Sequence, residues 1–350
     1  MMKKKILALL LATVMVLGLA ACGGGNDGNS AGAGSNAGTA GSDTGSAGNT
    51  DNAGGSGSGA ELTFTTGGDQ GTYYGFGSVL AGQISDRTGT AVTAIVGNGS
   101  QQNIYAMDEG DAQLGFVQSD VMAYAYNGTS LFEDEGKIDS FSTVAALYME
   151  QVQIITVDPE IKTVADLKGK SVSVGDSGSG VYFNALDVLG AYDMTLDDIK
   201  PTFQSFGDSA DALQDGKIDA AFIVAGAPTT AVVSLSTNRD VYVVELDDEH
   251  IDKLIATSPY YSKNVIPAAA YGLEKDATTV AVGAVIIARD DVSEDAVYDV
   301  VSGIFESIDT LGHDKKSELS LDFAASITAV PYHPGAAKYF SEKGFDVPTK

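Results

Sequence analysis

The sequence predicts an α/β protein of two lobes with a cleft between them. From Leu62 onward, short apolar runs alternate with segments of helical periodicity, which is the pattern of a parallel, twisted sheet. Two glycine-rich turns, Thr66–Tyr74 and Gly175–Gly180, each join a strand to a helix in separate parts of the chain. The apolar runs Thr143–Val157 and Val280–Ala288 can connect two lobes twice, which predicts a hinge that closes around a ligand.

Composition narrows the possible partners and chemistries. The 350 residues contain 20 Lys and Arg against 47 Asp and Glu, a formal net charge of -27 at pH 7. Such a surface repels nucleic acid and anionic lipid headgroups, so we predict neither as a partner. The only cysteine, Cys22, excludes an internal disulfide and a cysteine-based metal site, and the three histidines are too scattered for a local metal motif. We predict no cofactor, no metal and no catalytic residue.

The first 60 residues are predicted to lie outside the globular fold. Lys3–Lys5 is a positive segment, and the apolar run Ile6–Ala21 is too short for a membrane span but suits a signal peptide. The run ends in L-A-A-C, which resembles a lipoprotein signal box, so residues 1–21 would be removed and Cys22 acylated. The alternative is a secreted protein in which this cysteine occurs by chance. Residues 22–60, rich in glycine, serine and asparagine, predict a flexible tether to the extracytoplasmic face of the cell membrane.

Three strand–turn–helix units open the globular part. Each predicted strand ends in small polar residues that begin a helix, and ligands of parallel sheets bind beyond such carboxyl ends. The free N–H groups at the helix starts also attract anions. The strands are predicted at Leu62–Thr66, Ala91–Val96 and Leu114–Gln118, and the helices at Tyr73–Ser85, Gln102–Glu109 and Val121–Tyr126.

The second lobe is predicted to repeat this pattern. Thr143–Tyr148 and Gln153–Val157 are two strands or one long strand that crosses between the lobes. A strand at Val280–Ala288 returns to the first lobe and is followed by a long helix, Asp295–Leu311. Lobe I is placed at 61–149 plus 277–350, and lobe II at 150–276. Within lobe II we predict strands at Ser171–Val174, Ile218–Val224 and Val241–Glu245, with helices at Val181–Gly190, Asp208–Leu213 and His250–Ala256.

The glycine-rich turns fit small-ligand binding better than nucleotide binding or proteolysis. Gly175–Gly180 lacks the following Gly-Lys-Ser/Thr of a phosphate-binding loop, and the glycines at 68, 71 and 75 lack dinucleotide spacing. The tetrapeptide G-D-S-G surrounds the nucleophile of trypsin-like proteases, but those are β-barrels whose histidine precedes the serine. Here all three histidines follow Ser177. A secreted serine hydrolase using Ser177 stays as an alternative.

Neutral donors and acceptors dominate the predicted strand ends. Asp69 or Asp176 could meet an ammonium group, although either could instead cap a helix. The rings of Tyr73 and Tyr74 could form part of the wall of the binding site. One of them could instead pack in the core, because helical spacing turns the two rings in different directions. The neutral polar side chains are Asn98, Ser100, Gln118, Ser119, Ser177 and Ser179.

Six motifs that occur here in one order resemble the TAXI family, the solute receptors of tripartite ATP-independent periplasmic (TRAP) transporters. They are T-G-G-D-Q-G-T-Y-Y, G-N-G-S-Q-Q-N, L-G-F-V-Q-S-D, G-D-S-G-S-G, V-A-G-A-P-T and H-P-G-A-A-K-Y-F. The resemblance covers essentially Leu62–Phe340. The resemblance implies a type II periplasmic-binding-protein fold without enzymatic activity. It implies delivery of glutamate, glutamine or a related small carboxylate to a membrane permease driven by an ion gradient.

Carried over by motif, the resemblance also implies a set of ligand-binding residues. Many relatives have a neutral residue where this chain has Asp69 or Asp176, and either carboxylate would disfavour a dianionic ligand if it faced the cleft. We expect a monomer. The alternatives are the binding protein of an ATP-driven (ABC) importer and a sensory receptor module. The implied ligand-binding residues are Gly68, Tyr73, Asn98, Ser100, Asn103, Gln118, Ser119, Ser177, Gly178, Ser179, Gly180, Gly226 and Pro228.

Overall fold

Strands and helices alternate along residues 58–350, the part of the chain that the computed structural model describes. The predicted signal peptide, Cys22 and nearly all of the predicted tether lie outside the described residues. The strands are β1 (Glu61–Thr65), β2 (Ala91–Ile95), β3 (Leu114–Gln118), β4 (Phe141–Thr156), β5 (Ser171–Ser173), β6 (Lys200–Thr202), β7 (Ala220–Ala225), β8 (Tyr242–Val243), β9 (Ser262–Ile266) and β10 (Ala277–Arg289). The α-helices are α1 (Thr72–Thr88), α2 (Ser100–Asp108), α3 (Ser119–Asn127), α4 (Gly180–Ala191), α5 (Phe206–Gln214), α6 (Thr230–Ser236), α7 (Asp248–Thr257), α8 (Glu294–Phe305), α9 (Leu321–Ala324) and α10 (Pro334–Glu342).

The main sheet has the strand order β2-β1-β3-β10-β4-β7-β5-β6. At one end β1 pairs in parallel with β2 and β3, and at the other β5 pairs in parallel with β6 and β7. The two long strands β4 and β10 run antiparallel between these ends. The same three-stranded parallel unit therefore occurs twice, which agrees with the predicted pair of α/β lobes.

β4 and β10 run through two of the hydrophobic clusters, a first core that contains Phe76 and a second that contains Val172. Leu147 and Tyr148 of β4 pack in the first core, whereas Val152 and Ile154 pack in the second. Glu150 lies between these groups and pairs with Val282 of β10. The sequence left open whether this segment forms two strands or one. In the structure it forms one continuous strand, β4, of 16 residues. The lobe boundaries proposed from the sequence stay a prediction.

Helix α1 shows how the apolar pattern builds the first core. Phe76, Leu80 and Ile84 recur at helical spacing and are at most 1% exposed, and they pack in one cluster with Phe64 and Phe116 of the sheet. Each such burial contributes about 1.5–3 kcal/mol before the entropy of ordering is counted. Within residues 58–350, no helix combines the length and apolar character needed to cross a membrane.

The predicted elements differ from the structure in several places. The helix predicted at Asp295–Leu311 ends at Phe305, because Ser307 leaves helical geometry with φ -141° and a short 3₁₀ turn follows. The strand predicted at Val241–Glu245 is present but shorter, since β8 has only two residues. The elements β6, β9, α6, α9 and α10 were not predicted from the sequence. β6 and α9 are too short for periodicity to reveal them, because they have three and four residues.

Candidate functional site

A cavity of about 330 Å³ lies between the two lobes. Lobe I contributes the turns before α1 and α2, together with Tyr73 and Gln118. Lobe II contributes the turns before α4 and α5, and β4 contributes Glu150. The volume lies near the lower end of the range for ligand pockets, so the cavity suits a ligand about the size of an amino acid.

The lobe I wall consists largely of glycine backbone at two helix starts. Gly71 precedes α1 and Gly99 precedes α2, and neither helix has a side-chain cap. The backbone φ of Gly99 is 101°, a conformation that L side chains rarely adopt. The first N–H groups of both helices thus have no capping side chain, and they form a positive helix end beside the cavity.

The lobe II wall brings another helix start against lobe I. Ser179 precedes α4 without capping it, and the Oγ atom of Ser179 is buried. A Cβ atom placed on Gly180 would lie 2.0 Å from Oε1 of Gln118 and 2.7 Å from Oγ of Ser100. Any larger residue at the start of α4 would therefore require the Gln118 and Ser100 side chains to move while the lobes are in this arrangement. Phe206, the first residue of α5, approaches Gly71 from the same side of the cleft.

Direct hydrogen bonds hold the two lobes together around the cavity. The N–H of Gln102 donates to the carbonyl of Gly178 at 2.9 Å, and Oγ1 of Thr72 donates to the carbonyl of Gly226 at 3.2 Å. The turn before α1 also accepts a bond from lobe II, through the carbonyl of Gln70. The structure is therefore a closed arrangement of the lobes.

Four buried polar atoms on this cavity have no hydrogen-bond partner among the described residues. They are the hydroxyl of Tyr73, Oε1 of Gln118, Oε2 of Glu150 and Oγ of Ser179. An unsatisfied buried polar group costs about 1–3 kcal/mol, so such groups are rare in folded proteins. Their concentration around one cavity indicates a site that a polar ligand completes.

Among the described residues that line the cavity, the only ones with a carboxyl or a basic side chain are three acids. Asp69 is exposed at the rim, Asp176 is partly buried, and Glu150 is 2% exposed. Burial raises the pKa of the Glu150 carboxyl to about 8. The hydroxyl of Tyr148 donates a long bond of 3.4 Å to Oε1 of Glu150. The nearby Lys315 does not line the cavity, because its Nζ atom bonds the Ala227 carbonyl and the Glu318 carboxylate.

A second polar cluster joins the lobes away from this cavity. Asp120 of α3 accepts a hydrogen bond of 2.8 Å from Nδ2 of Asn184 in α4 and a longer one from the hydroxyl of Tyr261. That hydroxyl also donates to Asp187 of α4, as does the hydroxyl of Tyr124. Burial, followed by repulsion from Asp187, raises the pKa of Asp120 to about 7.

The raised pKa predicts a pH effect on stability. The folded protein keeps a proton on Asp120 between about pH 4 and pH 7, whereas the unfolded chain loses it, so the free energy of unfolding falls as pH rises through this window. We expect Asp120→Asn to reduce the pH dependence of the free energy of unfolding by up to about 1.4 kcal/mol per pH unit. Urea unfolding from pH 4 to 8 measures it, with the exposed Asp322→Asn as the control. Equal slopes in the wild type and Asp120→Asn would contradict this prediction.

Comparison with known proteins places the fold and the family. Residues 64–344 match the NMT1-like family. The chain belongs to the NMT1-like family. Among solved structures it is similar to MatC from Rhodopseudomonas palustris with bound malate, with a TM-score of 0.52 and 14% identity over 81% of this chain and 97% of that one.

Two further solved structures are similar to this chain. A protein from Bordetella bronchiseptica RB50 matches with a TM-score of 0.50 and 16% identity, over 81% of this chain and 82% of that one. The alkanesulfonate-binding protein SsuA from Xanthomonas axonopodis pv. citri, bound to MOPS, matches with a TM-score of 0.44 and 14% identity, over 81% and 83%. At such identities the likeness concerns the fold alone. The predicted two-lobed, periplasmic-binding-protein-like fold is confirmed.

Seven of the predicted ligand-binding residues of this NMT1-like protein line the cavity. They come from both lobes, although the chain separates them widely. They are Gly68, Tyr73, Asn98, Ser100, Gln118, Ser179 and Gly180.

The predicted residues Asn103 and Ser119 lie outside the cavity and hold the backbone of lobe I. Nδ2 of Asn103 donates to the carbonyls of Thr66 and Phe116, which fastens β3 and the residue after β1 to α2. Oγ of Ser119 accepts a bond from the N–H of Gly283. Both side chains are buried, and their hydrogen bonds leave them turned toward the protein backbone.

The other four predicted residues, all in lobe II, also lie outside the cavity. The side chains of Ser177 and Pro228 are exposed, and Gly178 and Gly226 contact lobe I through their carbonyls. The backbone φ of Gly178 is 80°, so the chain turns between the two serines and only Ser179 reaches the cavity.

Glu150 and Phe206 line the cavity but were not among the predicted residues. Glu150 is the one acidic residue within the long apolar strand β4, and a lone carboxyl in such a run was a signal that could have identified it. Phe206 begins α5, a helix predicted only from Asp208, so its position beside the cleft had no sequence signal.

Proposed function

We propose that this NMT1-like protein is the extracytoplasmic solute receptor of a TRAP-type (TAXI) secondary transporter. It captures a small amino acid or carboxylate between its lobes and delivers it to the membrane permease. The supporting observation is the set of four unsatisfied, buried polar atoms on a closed cavity between the lobes. The six motifs that resemble the TAXI family favour this transporter type, and family membership is compatible with it.

The binding mechanism follows from the hinge. The ligand bridges the helix starts of both lobes, so it stabilises the closed arrangement relative to an open one. A carboxylate accepts hydrogen bonds from the helix N–H groups, each contributing about 1.5–3 kcal/mol because one partner is charged. The protein works as a monomer and performs no chemistry on the ligand.

A thermal-shift screen over amino acids, their desamino analogues and dicarboxylates tests this function. A ligand present at 100 times its dissociation constant adds about 2.7 kcal/mol to the free energy of unfolding. Small-angle scattering with and without that ligand should show compaction on binding. If no compound of these classes raises the melting temperature, the proposed function fails.

Two other functions make different predictions. A binding protein of an ATP-driven importer, or a sensory module, would have the same cavity, but its gene would neighbour an ATPase or a signalling protein rather than a large multi-span TRAP permease. A serine hydrolase using Ser177 would react with a fluorophosphonate probe. Among the described residues no histidine hydrogen-bonds to Ser177, so we expect no labelling.

The location proposed for this receptor depends on Cys22. The L-A-A-C sequence and the glycine-rich tether favour a lipid anchor on the outer face of the cell membrane. We expect Cys22→Ser to abolish incorporation of labelled palmitate and to shift the protein from the membrane fraction to the soluble fraction. Ser56→Ala in the tether is the control and should remain anchored. Retention of Cys22→Ser at the membrane would contradict lipidation.

A further inference from the structure

The charges around the cavity favour one class of ligand. The helix starts before α1, α2, α4 and α5 present positive backbone ends, which suit a single carboxylate. The charged side chains on the wall, Asp69, Glu150 and Asp176, are all acidic, and within residues 58–350 no lysine, arginine or histidine lines the cavity. A second carboxylate on the ligand would meet these acids without a cation to offset the repulsion.

Glu150 has the geometry of a ligand contact. Its side chain is 2% exposed, and its Oε2 atom has no partner among the described residues. The hydroxyl of Tyr148 bonds to the other oxygen, Oε1. The nearest cation, Lys315, is engaged by Glu318 and the carbonyl of Ala227. Oε2 therefore lies on the cavity wall without a hydrogen bond of ordinary geometry from the described residues, and the Tyr73 hydroxyl is its uncharged neighbour.

Building on the proposed function, we infer that Glu150 selects the ligand by accepting a hydrogen bond from its ammonium group. The ligand class is then a zwitterionic α-amino acid with an uncharged side chain, such as glutamine or a smaller neutral amino acid. Its carboxylate meets the helix starts and its ammonium group meets Oε2. Dicarboxylates are disfavoured because they lack the ammonium group that Glu150 would bind, and they and, to a smaller degree, glutamate add negative charge beside Asp69 and Asp176.

The protonation of Glu150 gives this inference a second readout. Burial raises the pKa of the carboxyl to about 8, so in the empty cavity at pH 7 most molecules carry a proton there. An ammonium group binds the ionised form, so binding should release this proton and tighten as pH rises from 6 to 8. The groups facing Glu150 are Tyr73, Tyr148, Asp120 and Lys315. Asp120 titrates in the same window, so the pH series includes Asp120→Asn.

Titration calorimetry of matched ligand pairs tests the inference. Each standard amino acid is compared with the same molecule lacking its amino group, for example L-glutamine with 4-carbamoylbutanoate and L-alanine with propanoate. The proteins are the wild type, Glu150→Gln and the control Glu274→Gln, whose exposed side chain lies outside the cavity. Two buffers of different ionisation enthalpy reveal proton release at pH 7.

We expect the wild type and Glu274→Gln to bind at least one neutral amino acid ten times or more tighter than its desamino analogue. Glu150→Gln should lose most of this preference, tenfold or more, and should show no proton release. If Glu150→Gln does not fold, the wild type alone tests the inference: it should prefer the amino acid over its desamino analogue and release a proton on binding.

Two results would overturn the inference, and they differ in what they imply for the receptor function. If desamino acids or dicarboxylates bind as tightly as amino acids and Glu150→Gln binds them equally well, the ammonium contact is excluded while the receptor function stands. If no member of either panel binds any of the three proteins, both the inference and the proposed function fail.

Discussion

Gly180→Leu is expected to weaken ligand binding about 10- to 100-fold, because a side chain forced into a closed, well-packed site costs about 1–3 kcal/mol. Even the Cβ atom would lie 2.0 Å from Oε1 of Gln118, so the lobes could close as they do now only if this buried side chain moved. Calorimetry with the amino acid that gives the largest wild-type thermal shift measures the loss. Small-angle scattering should show a more open protein.

The matched control is Gly190→Leu in the same helix. A Cβ atom at Gly190 meets nothing within 4 Å, and the position is exposed at the end of α4. This variant should bind like the wild type, since leucine is a better helix former than glycine. If Gly180→Leu also bound and closed like the wild type, the contact across the cleft would have no role in closure.

Phe116→Ala is expected to reduce the free energy of unfolding by about 3–5 kcal/mol, since it creates a cavity at a fully buried site. Phe116 also stacks on Tyr73 with ring centroids 4.6 Å apart, so the variant removes the support of a cavity-lining side chain. Urea unfolding measures the loss of stability, and calorimetry should show weaker ligand binding in the folded variant.

Phe203→Ala provides the comparison for this core substitution. Its side chain is 50% exposed and makes an edge contact with Tyr182, so the expected loss is about 1 kcal/mol or less. Equal losses for the two variants would show that the stacked pair of Phe116 and Tyr73 does not contribute specially to lobe I.

The elements that the sequence predicted well are those with local causes. The apolar period of α1 predicted that helix, and the repeated strand–turn–helix units predicted the parallel strand pairs. The glycine-rich turns predicted where helices begin at the cleft. Gly180 could be placed for this reason, because a side chain at this turn would meet Gln118 and Ser100 of the opposite lobe. The apolar runs also located β4, although they left open whether it is one strand or two.

Whether a predicted residue lies on the cavity depends on the local orientation of its side chain. Ser177 and Ser179 are two residues apart, and the left-handed backbone at Gly178 between them decides which one faces the cavity. Asn103 carries the right chemistry for a ligand contact, but its amide satisfies backbone carbonyls instead. Neither outcome has a signature in residue type or spacing, since both are set by where the second lobe and the neighbouring strands lie.

Glu150 illustrates a different limit. Periodicity identifies the strand that contains it, yet its significance arises only where both hinge strands pass the cleft and place a carboxyl beside Tyr73 and Gln118. A buried acid without a counter-charge on the cavity is unfavourable in the empty protein. A ligand that donates a hydrogen bond to this carboxyl removes the cost of burying it, so such a ligand binds more tightly than one without the donor.

Amide hydrogen exchange with and without the tightest-binding amino acid tests most directly whether the ligand lies between the lobes. We expect slower exchange at the helix starts of both lobes together, around Gly71 and Ser100 in lobe I and around Gly180 and Phe206 in lobe II. Protection confined to one lobe, or located away from these four turns, would contradict binding by closure of the two lobes on the ligand.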